Sequence, residues 1–545
     1  MNATKRILSV AILLALILSM ATGCGGGGNS AAEQEPAAPA EKPAEAEAVK
    51  EPVQGEFVAE ETGFERVTAP GTLTVGTTGS VNGFDPAGVA NTYGCDLVYE
   101  YLIRRDPETL EFVCGLAESY ELVDDTTAVF HLRDNVYFSN GDKLTAEDVI
   151  FSVEHMLQSR TASNYMHIDF ENSYCEDDLT AVFKFKYAYG PWESSFSICY
   201  IMSKNAADSM SEDDYWDKPV GTGPYYVVEN VAGSHSTYAL RDDYWDADNL
   251  PEAKEITVRA YADTSTMFID FENGVLDIVT NIGVTDVERL VSGGVSDCTY
   301  VIKSLPDNIL LAMNSSNEYL QDENVRAAIC YGVDFPAVGE AAKGVMYKDP
   351  TSSLPSDLPF YVNVGQYEYD PDLAREYLAA SGYGAGDVTL TMIIDSNNVN
   401  DTIAEAVQAY LADVGIAVNI EAYDMQTAIS HYREGDADLS CKQLPAGVTT
   451  MDPQAFYSTM QADTTNLSVL IAEDEFQALL DDSVYTNDTD ARAAAYEQLQ
   501  QWLVDNYWDP AVCESCACYA YRSYISNVDC LTPMQLLLKT VTFAE

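Results

Sequence analysis

The sequence has few basic side chains. Its 545 residues include 28 lysines and arginines against 87 aspartates and glutamates, which gives a formal net charge of −59. Phosphate backbones and anionic membrane surfaces repel a protein with this charge, so nucleic acid is not expected as a partner. The same charge attracts cationic ligands, but it also keeps a protein soluble at a crowded cell surface. The charge therefore indicates little about the ligand.

Catalytic motifs are scarce as well. The five histidines include no pair at i, i+4 spacing and no H-E-x-x-H, and the chain has no G-x-S-x-G, no G-x-x-x-x-G-K and no calcium loop. The glycine-rich residues 382–386 follow a helical pattern, which predicts a helix end and a loop rather than a dinucleotide site. Paired carboxylates such as Asp124-Asp125 lie in turn-like contexts and do not indicate a glycosidase. We expect no catalytic residue, no metal and no cofactor.

The cysteines form no regular framework. There are twelve, and the eleven beyond the N-terminal one are an odd number that cannot all pair, so mostly buried free thiols are expected. Cys513, Cys516 and Cys518 form a C-x-x-C-x-C pattern that can bind a soft metal or form a redox pair. Only Cys530 follows nearby as a fourth ligand, and residues 511–521 are apolar. A buried strand is therefore the preferred interpretation, with a thiol site as the alternative.

The N-terminus has the pattern of an export signal. Lys5 and Arg6 precede an aliphatic run over residues 7–20, which is shorter than the roughly 20 residues of a bilayer span. Small residues at 21–23 then precede Cys24, as in a bacterial lipobox. The pattern predicts a signal peptide over 1–23 and lipidation of Cys24, which would anchor an exported protein to the outer face of the cell membrane. Residues 24–65 are rich in Gly, Ala, Glu and Pro and predict a disordered acidic tether.

The rest of the chain alternates strands and helices. Residues 66–545 are too many for one small core and predict two or three lobes. Thr145 and Asp148 form a capping box that begins a helix, and Gly221 and Gly223 predict a tight turn with positive φ. Further predictions are strands at 73–75, 128–132, 225–229 and 416–422 and helices at 325–331 and 372–380.

An ordered series of sequence blocks extends from Leu73 to Cys530. The main blocks are 117–120 (AESY), 130–134 (FHLRD), 140–149 (NGDKLTAEDV), 219–225 (PVGTGPY), 240–245 (LRDDYW), 274–279 (GVLDIV), 325–328 (VRAA), 332–334 (GVD) and 369–371 (YDP). In this order they resemble the signature of the family 5 extracellular solute-binding proteins. That family comprises the oligopeptide, dipeptide and nickel receptors of ATP-driven importers.

The resemblance implies an α/β, two-lobed periplasmic-binding-protein-like fold with hinge strands and an extra domain inserted in the first lobe. The implied boundaries are 66–104, 203–305 and 510–545 for lobe I, 105–202 for the inserted domain and 306–509 for lobe II, with hinge strands near 305–309 and 511–516. A ligand that touches both lobes favours the closed population by its differential affinity. A monomer is expected.

The resemblance also locates the region that contacts a peptide amino terminus. Peptide receptors of the family use an aspartate three residues before an acidic-Pro pair. Here the pair is Asp452-Pro453, and Thr449 occupies the counted position. Threonine cannot make the charge-assisted hydrogen bond that a buried ammonium needs, so recognition of a free amine is in question unless Asp452 or Asp438 substitutes.

The candidate ligand contacts come from the segments that the resemblance places at the cleft. They are Asn91, Tyr93, Tyr165, Asn281, Met425, Tyr432, Thr449 and Asp452. Tyr432 lies where oligopeptide receptors supply an arginine to a ligand carboxylate. Amphipathic aromatic side chains and an adaptable methionine suit a ligand of variable shape.

The function expected from this sequence is that of a substrate-binding lipoprotein of an ATP-driven importer. It would capture a small polar ligand, first of all a peptide or peptide-like compound, and deliver it to a membrane permease without performing chemistry. One alternative is a surface hydrolase, favoured only by the many carboxylates. Another is a transport-inactive sensing or adhesion protein on the same fold, which the altered loop around Thr449 permits.

Overall fold

The structure is a computed structural model, and it describes residues 54–55, 71–88, 92–159, 161–443, 450–461, 471–508, 510–532 and 535–543. Helices and strands alternate through this part of the chain, which confirms the predicted α/β class. The strands are β1 (Gln54–Gly55), β2 (Thr72–Thr77), β3 (Ile103–Arg105), β4 (Phe112–Cys114), β5 (Ala117–Asp124), β6 (Thr127–Leu132), β7 (Ile168–Asp177), β8 (Thr180–Phe185), β9 (Tyr225–Val231), β10 (His235–Leu240), β11 (Glu255–Ala260), β12 (Ile278–Val279), β13 (Cys298–Met313), β14 (Tyr347–Lys348), β15 (Thr389–Asp395), β16 (Ala417–Tyr423), β17 (Leu439–Gln443), β18 (Ala511–Arg522), β19 (Ile525–Ser526), β20 (Cys530–Thr532), β21 (Gln535–Leu536) and β22 (Thr542–Phe543).

The α-helices are Thr92–Val98, Ala146–His155, Trp192–Ser197, Lys204–Ser209, Glu212–Asp217, Thr264–Glu272, Val284–Val291, Glu323–Gly332, Phe335–Lys343, Pro371–Ala380, Asn398–Val414, Met425–Glu434, Pro453–Tyr457, Asp474–Val484 and Thr489–Asp505. Short 3₁₀ segments are Met156–Gln158, Ala162–Tyr165, Ala247–Asn249, Gly344–Met346, Ser458–Met460 and Leu538–Thr540.

One large mixed sheet crosses the molecule. Its strand order is β16-β15-β17-β13-β18-β12-β2-β11-β10-β9, with β1 added to β13 and β14 added to β18. On one side β2 is parallel to both β11 and β12, and on the other β15 is parallel to both β16 and β17. The long antiparallel strands β13 and β18 join these two sheet halves.

The pairing of β13 with β18 is interrupted near its centre. Cys298 to Ser304 pair in register, and pairing resumes at Asn308 after a register shift. The Asn308 side chain is buried and donates to the carbonyls of Ser352 and Ser353 at 3.1 and 2.7 Å. This break divides a strand that is otherwise continuous from one half of the sheet to the other. It falls in the segment that the family resemblance implies as a hinge, although the domain boundaries themselves stay predictions.

A second, separate sheet lies between residues 117 and 185. It is antiparallel, with the order β5-β6-β8-β7. Its core is aromatic: Phe130 contacts Phe183 and Phe196 at ring-centroid distances of 6.0 and 4.7 Å. The helix Ala146–His155 covers this sheet, and its N-terminus has the predicted capping box between Thr145 and Asp148.

The turn at residues 221–224 corrects one sequence prediction. Neither Gly221 nor Gly223 has a positive φ. Glycine is needed there because the backbone of another segment comes very close: a Cβ on Gly221 would lie 2.0 Å from the Val98 carbonyl oxygen, and one on Gly223 would lie 2.5 Å from that of Leu97. The turn therefore holds the strand after it against the end of the helix Thr92–Val98.

Strand β18 contains the C-x-x-C-x-C cysteines, as the preferred interpretation predicts. Cys513 and Cys518 are fully buried, and burial raises the pKa of each thiol to about 12. All eleven cysteines in the described part of the chain are free, and eight of them are buried. The expectation of mostly buried free thiols is confirmed for these residues. Such thiols are protonated at neutral pH and are poor nucleophiles and metal ligands.

Candidate functional site

A buried arginine joins three separate parts of the chain. Arg105, at the end of β3, donates through one guanidinium nitrogen to the carbonyls of Thr450 and Met451 at 3.2 and 3.1 Å and to the Ser194 hydroxyl at 3.3 Å. A second nitrogen donates to the Leu110 carbonyl at 2.8 Å. Burial lowers the pKa of the Arg105 side chain, but a guanidinium stays charged in proteins. The cation therefore holds the β3–β4 hairpin against residues 450–451, next to the loop in which peptide receptors bind an amino terminus.

Asp452 is already paired. One Arg492 nitrogen contacts its two carboxylate oxygens at 3.1 and 3.0 Å, and both side chains are less than a tenth exposed. The same carboxylate accepts from the backbone N–H of Gln454 and so caps the helix Pro453–Tyr457. Arg492 in turn donates to the Ser483 carbonyl at 2.9 Å. Buried charges need such compensation, and Asp452 has it without any ligand.

The other substitute considered for the missing charge is also engaged. Asp438 accepts from the Asn317 amide at 2.7 Å through one oxygen and from the backbone N–H of Thr391 at 2.8 Å through the other. This carboxylate thus fixes strand β15 and a neighbouring loop. Like Asp452, Asp438 stabilises the fold through contacts that need no ligand.

Two buried polar side chains, Tyr165 and His167, lie in the segment just before β7, which we call the wall. The Tyr165 hydroxyl makes no hydrogen bond to any residue that the structure describes, and the His167 ring has only the Asn164 backbone as a hydrogen-bond partner there. His167 stacks on Tyr189 with ring centroids 4.0 Å apart. Burial lowers the pKa of His167 to about 3, so the ring is neutral at physiological pH. Unpaired buried polar groups cost folding free energy, and a ligand that pairs them recovers that energy.

Hydrogen bonds connect this wall to Arg105. The Ser195 hydroxyl donates to the Asn164 carbonyl at 2.6 Å, and the adjacent Ser194 accepts from Arg105. Next to them Glu193 accepts from the Tyr120 hydroxyl at 2.8 Å, and burial raises the pKa of its carboxyl group. The region between the inserted sheet and residues 450–452 therefore combines a fixed cation, a carboxyl group and neutral amphipathic rings.

The structure brings together only part of the predicted ligand contacts. Tyr165 and Asp452 belong to the region just described. Tyr432 is buried elsewhere, where its hydroxyl donates to the Ile393 carbonyl at 3.1 Å. Met425, on the same helix, is 60% exposed. Asn281 has a φ of 53° and donates weakly to the Thr78 hydroxyl at 3.4 Å.

The remaining predicted site residues are Tyr93, Asn91, Thr449 and Cys24. Tyr93 is buried and lines a cavity of about 590 Å³. Asn91, Thr449 and Cys24 lie outside the described residues, so their assignments stay predictions.

Sequence reasoning missed Arg105, His167, Glu193 and Arg492. Arg105 is one of two consecutive arginines at the end of a short strand, and no pattern distinguishes it from Arg104, which is exposed. The signal that could have identified them is the small number of such residues. A chain with 28 basic residues and five histidines buries few of them unless they have a structural or functional role.

Comparison with known proteins identifies the family. The model for "Bacterial extracellular solute-binding proteins, family 5 Middle" matches residues 111–468. Heme-binding protein A of Haemophilus influenzae is 24% identical over 466 residues, which cover 77% of this chain and 82% of that protein. The Dipeptide-binding protein of Escherichia coli is 25% identical over 481 residues, covering 80% and 87%.

A solved structure gives the fold. The ABC transporter substrate-binding protein CtaP of Listeria monocytogenes superimposes with a TM-score of 0.77 at 20% identity, covering 87% of this chain and 99% of that one. The predicted two-lobed α/β fold is thereby confirmed. In the described part of the chain no helix has the length and apolar character needed to cross a bilayer. The family model spans most of the chain, and the protein belongs to the bacterial extracellular solute-binding proteins of family 5.

Proposed function

We propose that the protein is the solute receptor of an ATP-driven importer, and that it captures a peptide or peptide-like compound by closure of its two lobes and delivers it to a membrane permease. The observation that carries the proposal is the buried wall of Tyr165 and His167, in which the Tyr165 hydroxyl has no partner among the described residues and His167 has only the Asn164 backbone. A peptide supplies what this wall lacks, because its backbone amides donate and accept at regular intervals. The E. coli relative is named for dipeptides, which agrees with this ligand class.

The ligand is recognised mainly through neutral groups. Asp452 is compensated by Arg492, and Asp438 is held by two donors. Neither carboxylate is left to form the charge-assisted pair that a buried ammonium needs. We therefore expect compounds with a blocked amino terminus to bind about as well as those with a free one.

Hinge closure is centred on the interruption in β13. A change in a few backbone angles there would rotate the sheet half that contains β15–β17 relative to the half that contains β2 and β9–β12. The proposed lobes are 66–104, 203–305 and 510–545 on one side and 306–509 on the other, with 105–202 inserted. Arg105 lies across this division, because it belongs to the inserted domain and bonds to residues 450–451.

The receptor acts as a monomer held at the outer face of the cell membrane by a lipid on Cys24. Mass spectrometry of the protein extracted from its own cells tests this part. A diacylated peptide that begins at Cys24 is expected, and an unmodified N-terminus at any other residue would contradict the anchor. Replacement Cys24→Ala is expected to release the protein from the membrane.

Titration with defined ligands tests the proposed function. The full chain is screened for a rise in melting temperature with di- and tripeptides, their N-acetylated forms, sugars and a nickel chelate, and each binder is then measured by calorimetry. A ligand at 100 times its Kd stabilises the folded state by about 2.7 kcal/mol. A response to peptides in both free and acetylated forms supports the proposal, and a response confined to sugars or the chelate would overturn it.

A further inference from the structure

A cavity on the other side of Arg105 from residues 306–509 is lined by several basic side chains. The cavity measures about 590 Å³, which is in the range of pockets that hold small molecules, about 300–1,000 Å³. Its walls come from residues 93–133, 244–249 and 535–540, and no residue between 306 and 509 lines it. The cavity therefore belongs to the first lobe and the β3–β4 hairpin.

Three basic side chains besides Arg105 line this cavity without ion pairs. Arg104, Arg133 and Lys539 make no ion pair with any carboxylate in the part of the chain that the structure describes. Arg133 is positioned by a bond from its Nε to the Gly115 carbonyl at 2.8 Å, which leaves its two terminal nitrogens for other acceptors. Basic side chains without an ion pair are unusual in a chain with 87 acidic residues and 28 basic ones, because most basic side chains have a carboxylate within reach.

The acidic residues of the cavity are engaged by neutral donors instead. Asp96 accepts from two tyrosine hydroxyls at 2.7 Å each and from the Gln535 amide at 3.3 Å. Glu100 accepts from the Tyr244 hydroxyl and the Trp245 indole, both at 2.7 Å. Asp106 and Asp246 also line the cavity and accept from the backbone N–H groups of Glu108 and Thr109 and from the Asn249 amide. Neutral donors thus satisfy all four carboxylates, and Asp96 and Asp106 act on Lys539 and Arg104 only at longer range than an ion pair.

The rest of the lining is aromatic or apolar. Tyr93, Trp245, Leu536 and Leu538 all contribute to its walls. The Arg133 guanidinium lies 5.7 Å from the centre of the Trp245 ring, a cation–π distance that orients it. The lining thus combines basic groups with surfaces that suit a flat or apolar body.

We infer that this cavity binds a small organic anion, with its carboxylate or phosphate group between Arg104, Arg133 and Lys539 and its apolar part against Trp245. A carboxylate and a phosphate share the chemistry that matters here, which is charge-assisted hydrogen bonding to guanidinium and ammonium donors. The cavity shares Arg105 with the proposed peptide site, but no residue between 306 and 509 lines it, so occupation of one site does not require the other.

Calorimetric titration of the full chain tests the inference. The probes are benzoate, phenyl phosphate and inorganic phosphate, with phenol as the neutral analogue. We expect at least one aromatic anion to bind with one-to-one stoichiometry and phenol not to bind. The anion that binds best identifies whether the natural ligand carries a carboxylate or a phosphate.

Charge-removing variants complete the test. Lys539→Gln and Arg104→Gln are each expected to weaken anion binding about tenfold or more, as the loss of a charge-assisted hydrogen bond implies. Lys218→Gln removes an exposed charge that does not line the cavity and is the matched control, with affinity expected within twofold of wild type.

Several results would overturn the inference. They are no binding of any anion up to 10 mM, equal binding of phenol, an unchanged affinity in both cavity variants, or displacement of the anion by a saturating peptide. Peptide affinity is measured on the same variants and is expected to be unchanged, so failure of this site is distinguishable from failure of the proposed transport function.

Discussion

Replacement of Asp452 by asparagine separates a structural role from a ligand-binding role. Asparagine has nearly the same shape and can still accept from the Gln454 N–H, so the helix cap is retained. The charge is lost, however, and the Arg492 guanidinium, which is less than a tenth exposed, is left without its partner. Breaking a buried ion pair in this way costs about 3–5 kcal/mol, because an uncompensated charge stays buried. We expect the free energy of unfolding to fall by that amount.

The companion variant Arg492→Met and the double variant complete a thermodynamic cycle. The double variant removes both charges, so it should lose less stability than the two single variants added together, with a coupling energy of at least about 1.5 kcal/mol. Urea unfolding of the ligand-free full chain gives the free energy of unfolding of all four proteins. In each protein it is taken from the unfolding transition that Asp452→Asn shifts. Arg492 also donates to the Ser483 carbonyl. Both variants that lack Arg492 lose this hydrogen bond, so its contribution cancels in the cycle.

Ligand selectivity is the second readout. If Asp452 only stabilises the fold, Asp452→Asn leaves the ratio of the Kd values for free and acetylated peptides unchanged. The reasoning is refuted if the variant unfolds within about 1 kcal/mol of wild type, or if it loses affinity for free-amine peptides alone. The second outcome would assign Asp452 to the ligand's ammonium group in place of Thr449.

Three further predictions rest on single side chains. Tyr165→Phe should raise the Kd for the peptide ligand about three- to tenfold, the effect of one net hydrogen bond. The stability of the unliganded protein should not fall, because the hydroxyl has no partner among the described residues. Calorimetry measures the Kd and urea unfolding the stability, and a loss of stability would contradict the assignment. His167 is neutral when folded down to a pH of about 3 but binds a proton below about 6.5 when unfolded. The unfolded state therefore binds more protons between these values, and stability falls as the pH is lowered through this window by up to ~1.4 kcal/mol per unit. His167→Gln should show a shallower decline between pH 6.5 and 4.5, whereas the exposed control His131→Gln should follow wild type. Gly221→Ala should destabilise by about 1–3 kcal/mol or more, since its Cβ would meet a carbonyl oxygen at 2.0 Å; Gly88→Ala, with contacts no closer than 3.5 Å, is the control, and equal stability of the two would refute the close approach.

Local patterns predicted the elements of the fold well. The strand at 73–75 is the centre of β2, the helix at 372–380 is Pro371–Ala380, and the C-x-x-C-x-C segment is a buried strand. These features depend on short-range propensity and apolar periodicity, which a sequence displays directly. Gly221 shows what local patterns cannot predict. Glycine is needed there because the backbone carbonyl of Val98 lies too close for a side chain, and Val98 is more than a hundred residues earlier in the chain.

The candidate site was less predictable because its contacts are long-range. Arg105 and Thr450 are 345 positions apart, and nothing near either one indicates the other. Asp452 was recognised as part of a family pair, but its engagement by Arg492 appears only in three dimensions. Tyr165 was predicted as a ligand contact through the family resemblance. That its hydroxyl has no hydrogen-bond partner among the described residues is visible only from the packing around it.

The most direct test of a peptide receptor with this wall is a crystal structure of the protein purified from its own cells with the ligand it retains. The account predicts density for a peptide or peptide-like compound between the lobes, with polar atoms within hydrogen-bonding distance of the Tyr165 hydroxyl and a His167 ring nitrogen. A ligand of another class at this position, or a peptide that leaves Tyr165 and His167 unpaired, would contradict it.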